Sequence, residues 1–124
     1  MKIGYLMQKG EEIRKPPYNG PANHVRHIVQ ELEGRGHTVR ILFRINEELW
    51  LSEGLQQFRT VQAHRIDRSA LRLIERLIRR TQSTFRLPYL GYFDSLRFTL
   101  ACQQELCDCD IFLERMSWMM SGGV

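Results

Sequence analysis

Long apolar runs are missing from this chain. None approaches the roughly 20 residues that a membrane-spanning helix needs. The first apolar run, residues 3–7, is too short for the core of a secretion signal and is soon followed by charged residues. We therefore expect a cytoplasmic protein. With 124 residues, 43% of them hydrophobic and 26% charged, the chain has the composition of one globular domain that can bury a core.

Cysteine is scarce, and histidine does not accompany it. The three cysteines, Cys102, Cys107 and Cys109, lie close together, whereas the last histidine is His64. An odd number of cysteines without a secretion signal argues against a disulfide framework, and a zinc site would need a fourth ligand. We expect these thiols to behave as small apolar residues, and we expect no metal site.

Residues 1–44 have the pattern of a strand, a helix and a second strand. Residues 3–7 form a short apolar run that is typical of a β-strand, and residues 37–43 form another. Between them, before Gly34-Arg35-Gly36 ends the helix, apolar residues recur at helical spacing: Val25, Ile28, Val29 and Leu32. Such a βαβ unit opens a Rossmann-like parallel sheet with flanking helices. We therefore expect an α/β fold in which these four side chains face the sheet.

Two further strands are predicted. Residues 46–54 indicate a polar connection that allows one helical turn, whereas residues 57–64 alternate partly between polar and apolar, as a strand near the sheet edge does. Residues 111–113 form an apolar run after a polar turn and are predicted to be the last strand. No domain boundary is visible, so residues 1–124 are expected to form a single domain.

Two helices are predicted between these strands. Asp67 can cap a helix over residues 67–81, and Pro88 breaks the chain before a helix over residues 92–106. The helix over residues 92–106 is expected to bury Leu96, Thr99, Leu100 and Gln103 or their immediate neighbours. The helix over residues 67–81 has an apolar stripe, which comprises Leu71, Leu73, Ile74, Leu77 and Ile78.

Arginine is concentrated in one segment. Residues 59–86 contain eight arginines against two carboxylates, although the whole chain has a net charge of only +4. Three interpretations stay open for the helix that carries Arg68, Arg72, Arg76, Arg79 and Arg80. It packs on the sheet as an ordinary solvated helix, it rests on an anionic membrane surface, or it binds nucleic acid. The last is disfavoured because no aromatic residue interleaves the arginines.

Four stretches, in their order and spacing, carry a resemblance to a known family. They are Met1-Lys2-Ile3-Gly4-Tyr5-Leu6, Asn19-Gly20-Pro21 with His24-Val25, Gly36-His37-Thr38-Val39, and residues 109–117 with the sequence CDIFLERMS. Together they resemble the N-terminal domain of GT-B glycosyltransferases. The nearest likeness is to the large retaining group called glycosyl transferase family 4, or group 1.

The resemblance implies a function. The chain would be the acceptor-side half of an enzyme that transfers a sugar from a nucleotide diphosphate sugar to a hydroxyl acceptor, with retention and without a cofactor or metal. Residues 1–124 would be one Rossmann-like domain, incomplete at its C-terminal end and inactive without the donor-binding domain. Several GT-B enzymes act on lipid-linked acceptors, which would make this protein peripheral to a membrane.

The resemblance also implies residues beside the donor. Gly20 stands where the family has the first of two glycines that approach the donor diphosphate, but Pro21 stands at the second and has no N–H. Phosphate binding would then fall to the backbone N–H groups of Ala22 and Asn23 at the start of the helix. His24, in the first helical turn, would contact a phosphate or an acceptor hydroxyl. Plain helix initiation and packing are the alternatives.

The residues implied to contact the acceptor come from two places. Two of them follow the last predicted strand, and one lies in the loop before the helix of the βαβ unit. Glu114 would position an acceptor hydroxyl without forming a covalent intermediate, and Arg115 would hold a phosphate or carboxylate. Tyr18, in the loop before the helix, would touch the acceptor. A surface ion pair and a solvated loop are the alternatives. If the last strand lies beside the first, as in the family, we expect Gly20, His24 and Glu114 to converge on one cleft at the edge where the parallel strands end.

The main rival is a non-enzymatic flavodoxin-like module for binding or regulation. A receiver-type module would need acidic residues after its first and third strands, where this chain has Gln8-Lys9 and His64-Arg65. That difference disfavours the rival. A small nucleotide-binding enzyme is disfavoured because no Gly-x-Gly-x-x-Gly follows the first strand.

Overall fold

A computed structural model describes residues 1–62, 69–85 and 92–115. Within these ranges the chain forms, in order, β1 (Lys2–Met7), α1 (Gly20–Gly34), β2 (Thr38–Ile45), β3 (Glu48–Glu53), β4 (Gln57–Val61), α2 (Ser69–Thr84), α3 (Tyr92–Glu105) and β5 (Ile111–Arg115). The strands form one sheet in the order β4-β3-β2-β1-β5. The predicted α/β class is confirmed. Asp67 and Pro88, which were predicted to cap and to break helices, lie outside the described residues.

The centre of the sheet is parallel. β1 pairs in parallel with β2 on one side and with β5 on the other, so that Tyr5 lies opposite both Ile41 and Leu113. The predicted βαβ unit and the predicted position of the last strand beside the first are therefore confirmed. These two pairings bring the ends of three strands to the same edge.

α1 covers one face of the sheet as its spacing predicts. Val25 and Val29 are fully buried, and Ile28 and Leu32 pack partly buried against the same cluster. Asn19 caps the first turn. The helix ends just before Gly36, whose φ of 86° lies in the left-handed region that favours glycine.

The other half of the sheet is antiparallel, which the sequence did not predict. β3 occupies the segment that was predicted to be a polar connection, and that prediction was wrong. Leu49 and Leu51 are both buried and lie opposite Arg44 and Leu42 of β2. The turn that reverses the chain is tight because Asn46 adopts a positive φ of 55°. β4 then forms the edge strand that was predicted near residues 57–64.

α3 covers the second face of the sheet. Phe98, Ala101 and Cys102 pack in one buried cluster with Leu6 and Leu42. The buried positions are the neighbours of the predicted ones, because Phe98 rather than Thr99 turns towards the sheet. The predicted set itself is partly or largely exposed: Leu96, Thr99, Leu100 and Gln103. Burial raises the pKa of the Cys102 thiol to about 12, so this thiol stays protonated.

α2 buries its single carboxylate and leaves its apolar stripe exposed. Glu75 is only 7% exposed. Four apolar residues of α2 and Phe85 directly after it are 40–70% exposed, and we call the five together the α2 stripe: Leu73, Ile74, Leu77, Ile78 and Phe85. The interpretation in which the predicted stripe packs on the sheet is therefore wrong for Leu73, Ile74, Leu77 and Ile78, whereas the side chain of Leu71 lies outside the described part of the chain. Among the described helices, none is long and apolar enough to cross a membrane.

Candidate functional site

β1, β2 and β5 all end at one edge of the sheet, which we call the carboxyl edge. From β1 the chain passes through α1 to β2 on one side, whereas β5 lies on the other side of β1. The strand order therefore reverses between β1 and β5. In open α/β sheets, ligands bind at such a switch point, outside the carboxyl ends of the strands.

The start of α1 lies at this edge, with Gly20 as its first residue. The N–H of Ala22 donates to Asn19 Oδ1 at 2.8 Å, and the N–H of Asn23 donates to the Asn19 carbonyl oxygen at 2.9 Å. Both amide groups that were assigned to a phosphate are thus already paired. A phosphate would reach the Ala22 N–H only by displacing the Asn19 side chain.

The loop between β1 and α1 is held by several contacts. The N–H of Gly10 donates to the Arg44 carbonyl oxygen at 2.7 Å, and Ile13 is fully buried. Arg26 donates to the Ile13 carbonyl oxygen at 2.9 Å, and its guanidinium lies 4.1 Å from the centroid of the Tyr18 ring. Tyr18 is therefore stacked beside α1 in a half-buried position.

Glu114 and Arg115 lie within β5 rather than after it, and they belong to opposite faces of the sheet. Glu114 is the register partner of Leu6, which packs under α3, whereas Arg115 is the partner of Met7, which packs under α1. The Nη1 atom of Arg115 is buried and has no hydrogen-bond partner within the described ranges.

Two buried polar residues join Glu114 at the switch point. Gln8 Nε2 donates to Glu114 Oε1, and Ser95 Oγ donates to Gln8 Oε1, both at 3.4 Å. Gln8 is 2% exposed and Ser95 is 6% exposed. We call these three residues the switch-point trio. Both separations are long for hydrogen bonds, so a ligand hydroxyl can replace one of them at small cost.

The candidate residues thus share one edge but lie on two faces. Gly20, Tyr18 and the exposed His24 lie on the α1 side of the sheet, whereas the contacts of Glu114 are on the α3 side. Gln8 and Ser95 were not among the site residues predicted from the sequence. The position of Gln8 directly after β1 was a usable signal, whereas nothing in the sequence marked Ser95.

A second group of charged residues surrounds a cleft of about 490 Å³ between α2, α3 and the ends of β2 and β4. We call it the arginine cleft. Four carboxylates line it, together with five arginines: Arg44, Arg72, Arg76, Arg79 and Arg97. The spacing of three of these along α2 puts them on one side of the helix. The spacing does not show whether the arginine side or the apolar side of α2 faces the rest of the domain. The cleft was therefore not predicted.

Glu75 holds two arginines of the cleft in place. Arg97 donates to both of its carboxylate oxygens, with Nη1 at 2.9 Å from Oε1, and Arg79 Nη2 lies 2.7 Å from Oε1. Both arginines are also 3.6 Å from Asp94 Oδ1. The hydrogen bonds from Arg97 are the main reason why the pKa of Glu75 is lowered.

Replacing Glu75 by glutamine should reduce the free energy of unfolding by about 2 kcal/mol, because it removes the carboxylate that two guanidinium groups share in a mostly buried place. The pKa of Glu75 is lower in the folded protein than in the unfolded chain. Its contribution is therefore present at neutral pH and is lost as the pH falls through that lowered pKa. Urea unfolding at a series of pH values measures both effects.

The matched control for this variant is Glu31→Gln, which removes an exposed ion pair with Arg35 at 3.7 Å. It should change the free energy of unfolding by less than about 0.5 kcal/mol, because exposed pairs are screened by solvent. Equal losses for the two variants would contradict the inward orientation of Glu75.

Within residues 1–62, 69–85 and 92–115, no group of three or more His, Cys, Asp or Glu side chains is arranged to hold a metal ion. Comparison of the chain with protein-family models, with curated proteins and with solved structures found no match. A functional proposal for this chain therefore rests on its own sequence and geometry.

Proposed function

We propose that this domain is the acceptor-side half of a glycosyltransferase that moves a sugar from a nucleotide diphosphate sugar to a hydroxyl acceptor with retention. The arrangement of the carboxyl edge is the observation that supports this best. β1 lies between β2 and β5, and all three are parallel. The loop that leads to Gly20 and the strand that carries Glu114 therefore open onto the same switch point.

In this proposal the acceptor binds on the α3 side of the switch point. The carboxylate of Glu114 accepts a hydrogen bond from the acceptor hydroxyl in place of its long bond from Gln8. This contact positions the hydroxyl, and Glu114 forms no covalent bond with the sugar. Ser95 orients Gln8 and so keeps the amide directed at Glu114.

The donor binds on the α1 side in this proposal. No atom lies within 4 Å of the place where a Cβ at Gly20 would stand, so a diphosphate can approach the helix start closely. A phosphate oxygen then replaces the capping side chain as the acceptor of the Ala22 N–H. The exposed His24 lies in the first turn of the same helix, Tyr18 precedes the helix start, and Arg115 contributes a positive charge on the same face of the sheet.

Titration of the isotope-labelled chain with UDP, GDP and ADP and with their hexose conjugates tests the donor half of the proposal. We expect the amide signals of Gly20, Ala22 and Asn23 to shift and to saturate, with a Kd on the order of 1 mM because this domain supplies only part of the donor site. Gly20→Ala should fold like the parent and lose these shifts. Absent shifts at residues 20–23, or shifts unchanged in Gly20→Ala, would contradict the proposal.

We further propose that α2 rests on an anionic membrane surface. The α2 stripe exposes apolar side chains, and the exposed Arg80 adjoins it along the helix. An apolar stripe with arginines beside it is typical of helices that lie in the membrane interface. Arg72, Arg76 and Arg79 would add to the attraction, and Arg68 lies outside the described residues. The stripe contributes apolar burial and the arginines contribute electrostatic attraction, so salt should weaken binding only in part.

Replacing Leu73 and Leu77 together by serine should weaken binding to phosphatidylserine vesicles at least about thirtyfold, because each leucine buried in lipid contributes about 1–2 kcal/mol. Arg80→Gln should weaken binding less, by about fivefold, and should also reduce its salt dependence. Co-sedimentation with anionic and neutral vesicles at low and high salt measures these effects. Equal recovery of the double variant and the parent would refute the membrane role, as would equal recovery of the parent on the two kinds of vesicle.

A further inference from the structure

The arginine cleft has the size and the charge of a small-molecule site. Its volume of about 490 Å³ falls within the roughly 300–1,000 Å³ that is typical of ligand sites. Two of its four carboxylates, Glu75 and Asp94, are engaged by Arg79 and Arg97. The lining as a whole has five arginines against four carboxylates, so its net charge is positive and favours an anion.

Arg44 brings a buried guanidinium to the cleft from β2. Its side chain is 7% exposed, and its Nη2 donates to the backbone carbonyl oxygen of Asp94 in the first turn of α3. Ser95 of the switch-point trio is the next residue, so Arg44 lies where the cleft meets the trio. A guanidinium held in so dry a place interacts strongly with an anion that enters.

Arg76 lines the same cleft from α2, but its side chain is exposed. Within the described part of the chain it makes no hydrogen bond or ion pair. Its long side chain can therefore close over a ligand without first breaking a contact. Arg80 lies one turn further along α2, is also exposed and does not line the cleft.

We propose that the arginine cleft binds the phosphate group of a small phosphorylated ligand. Arg44 and Arg76 reach this group from β2 and α2, and paired N–H···O contacts to phosphate oxygens are those that guanidinium groups make best. The rest of the ligand extends towards the switch-point trio. This last statement rests on the proposed function, in which the ligand is the acceptor, whereas the phosphate site itself does not.

Binding of inorganic pyrophosphate to the whole chain tests the phosphate site, by calorimetry and by amide shifts. Arg76→Gln should weaken binding about five- to tenfold, whereas Arg80→Gln, the same change of charge on the same helix, should weaken it less than about twofold. The shifts should centre on residues 72–79 and 94–97. Three results would overturn the proposal: equal effects of the two variants, shifts confined to residues 20–23, or no saturation by roughly 10 mM ligand at about 150 mM salt.

The phosphate has two sources, a soluble sugar phosphate or a lipid headgroup, and two further titrations distinguish them. If the ligand is soluble, Arg76→Gln should weaken binding of glucose 6-phosphate. In that case it should weaken binding to phosphatidic acid vesicles no more than Arg80→Gln does. With a lipid ligand, Arg76→Gln weakens vesicle binding more than Arg80→Gln does. The two proposals can fail separately. If pyrophosphate binds as expected but nucleotides shift no amide signal at residues 20–23, the proposed function is refuted and the phosphate site is supported.

Discussion

Replacing Gly10 by alanine is expected to reduce the free energy of unfolding by about 3 kcal/mol. A Cβ at this position would overlap the carbonyl oxygen of Arg44 and stand 2.9 Å from its carbonyl carbon, and no side-chain rotation can move these backbone atoms aside. The same oxygen accepts the Gly10 N–H at 2.7 Å. Relieving the overlap therefore also breaks the bond that fastens the loop after β1 to the end of β2.

Urea unfolding of Gly10→Ala beside Gly20→Ala measures this effect. A Cβ at Gly20 meets no atom within 4 Å, and Gly20 is the first residue of α1, so this control should change stability by less than about 0.5 kcal/mol. Hydrogen exchange should show residues 10–19 losing protection first in the Gly10 variant. A Gly10→Ala chain as stable as Gly20→Ala would mean that the loop is not fastened to Arg44.

The periodicity of apolar residues was sufficient to predict α1, because this helix buries one stripe against the sheet. The spacing of Val25, Ile28, Val29 and Leu32 predicted both the existence of α1 and the face that meets the sheet, because a helix beside a sheet must bury one stripe. The position of β5 beside β1 came from the resemblance rather than from any pattern within residues 111–113. Pairing between strands that lie about 100 residues apart in the sequence cannot be predicted from the local sequence of either strand.

β3 was missed because its pattern is short and its burial depends on distant residues. Leu49 and Leu51 alternate over a single repeat, which a loop can also do. Trp50, between them, is half-buried, and the guanidinium of Arg14 lies 4.3 Å from the centroid of its ring. That cation–π contact comes from the loop after β1, so the sequence around Trp50 does not contain the reason for its burial.

The orientation of α2 was also beyond the reach of sequence spacing. Spacing defines an apolar stripe and a charged side, but it does not decide which of them turns inwards. In the structure Glu75 faces α3 and pairs with Arg97, and the two residues belong to different helices. A buried pair of this kind becomes visible only when α2 and α3 are packed together.

The position of Glu114 in β5 was nearly predictable, but its face was not. Successive residues of a strand alternate between the two faces, so an error of one residue in the register exchanges Glu114 and Arg115. The pairing of Glu114 with Leu6 puts its carboxylate on the α3 side, beside Gln8. The geometry of the candidate site therefore depends on a register that the sequence does not specify.

Glu114→Gln is expected to lower kcat about 100-fold in an enzyme that joins this domain to a donor-binding domain, which corresponds to about 2.7 kcal/mol of lost transition-state stabilisation. The amide keeps the size of the side chain and can still meet Gln8. It lacks the negative charge that, in the proposed site, orients the acceptor hydroxyl and accepts a hydrogen bond from it. Affinity for the nucleotide diphosphate sugar should change less than about twofold, because the proposal places the donor on the α1 side.

The turnover of this variant beside Glu53→Gln is the most direct measurement of the proposed site. Glu53 is an exposed carboxylate at the far end of β3, where its pairing with Arg40 places it at the edge opposite the switch point. We predict a kcat about 100-fold below the parent for Glu114→Gln, with unchanged donor affinity, and parental kinetics for Glu53→Gln. A Glu114→Gln enzyme that turns over at the parental rate would contradict the assignment of Glu114 to the acceptor.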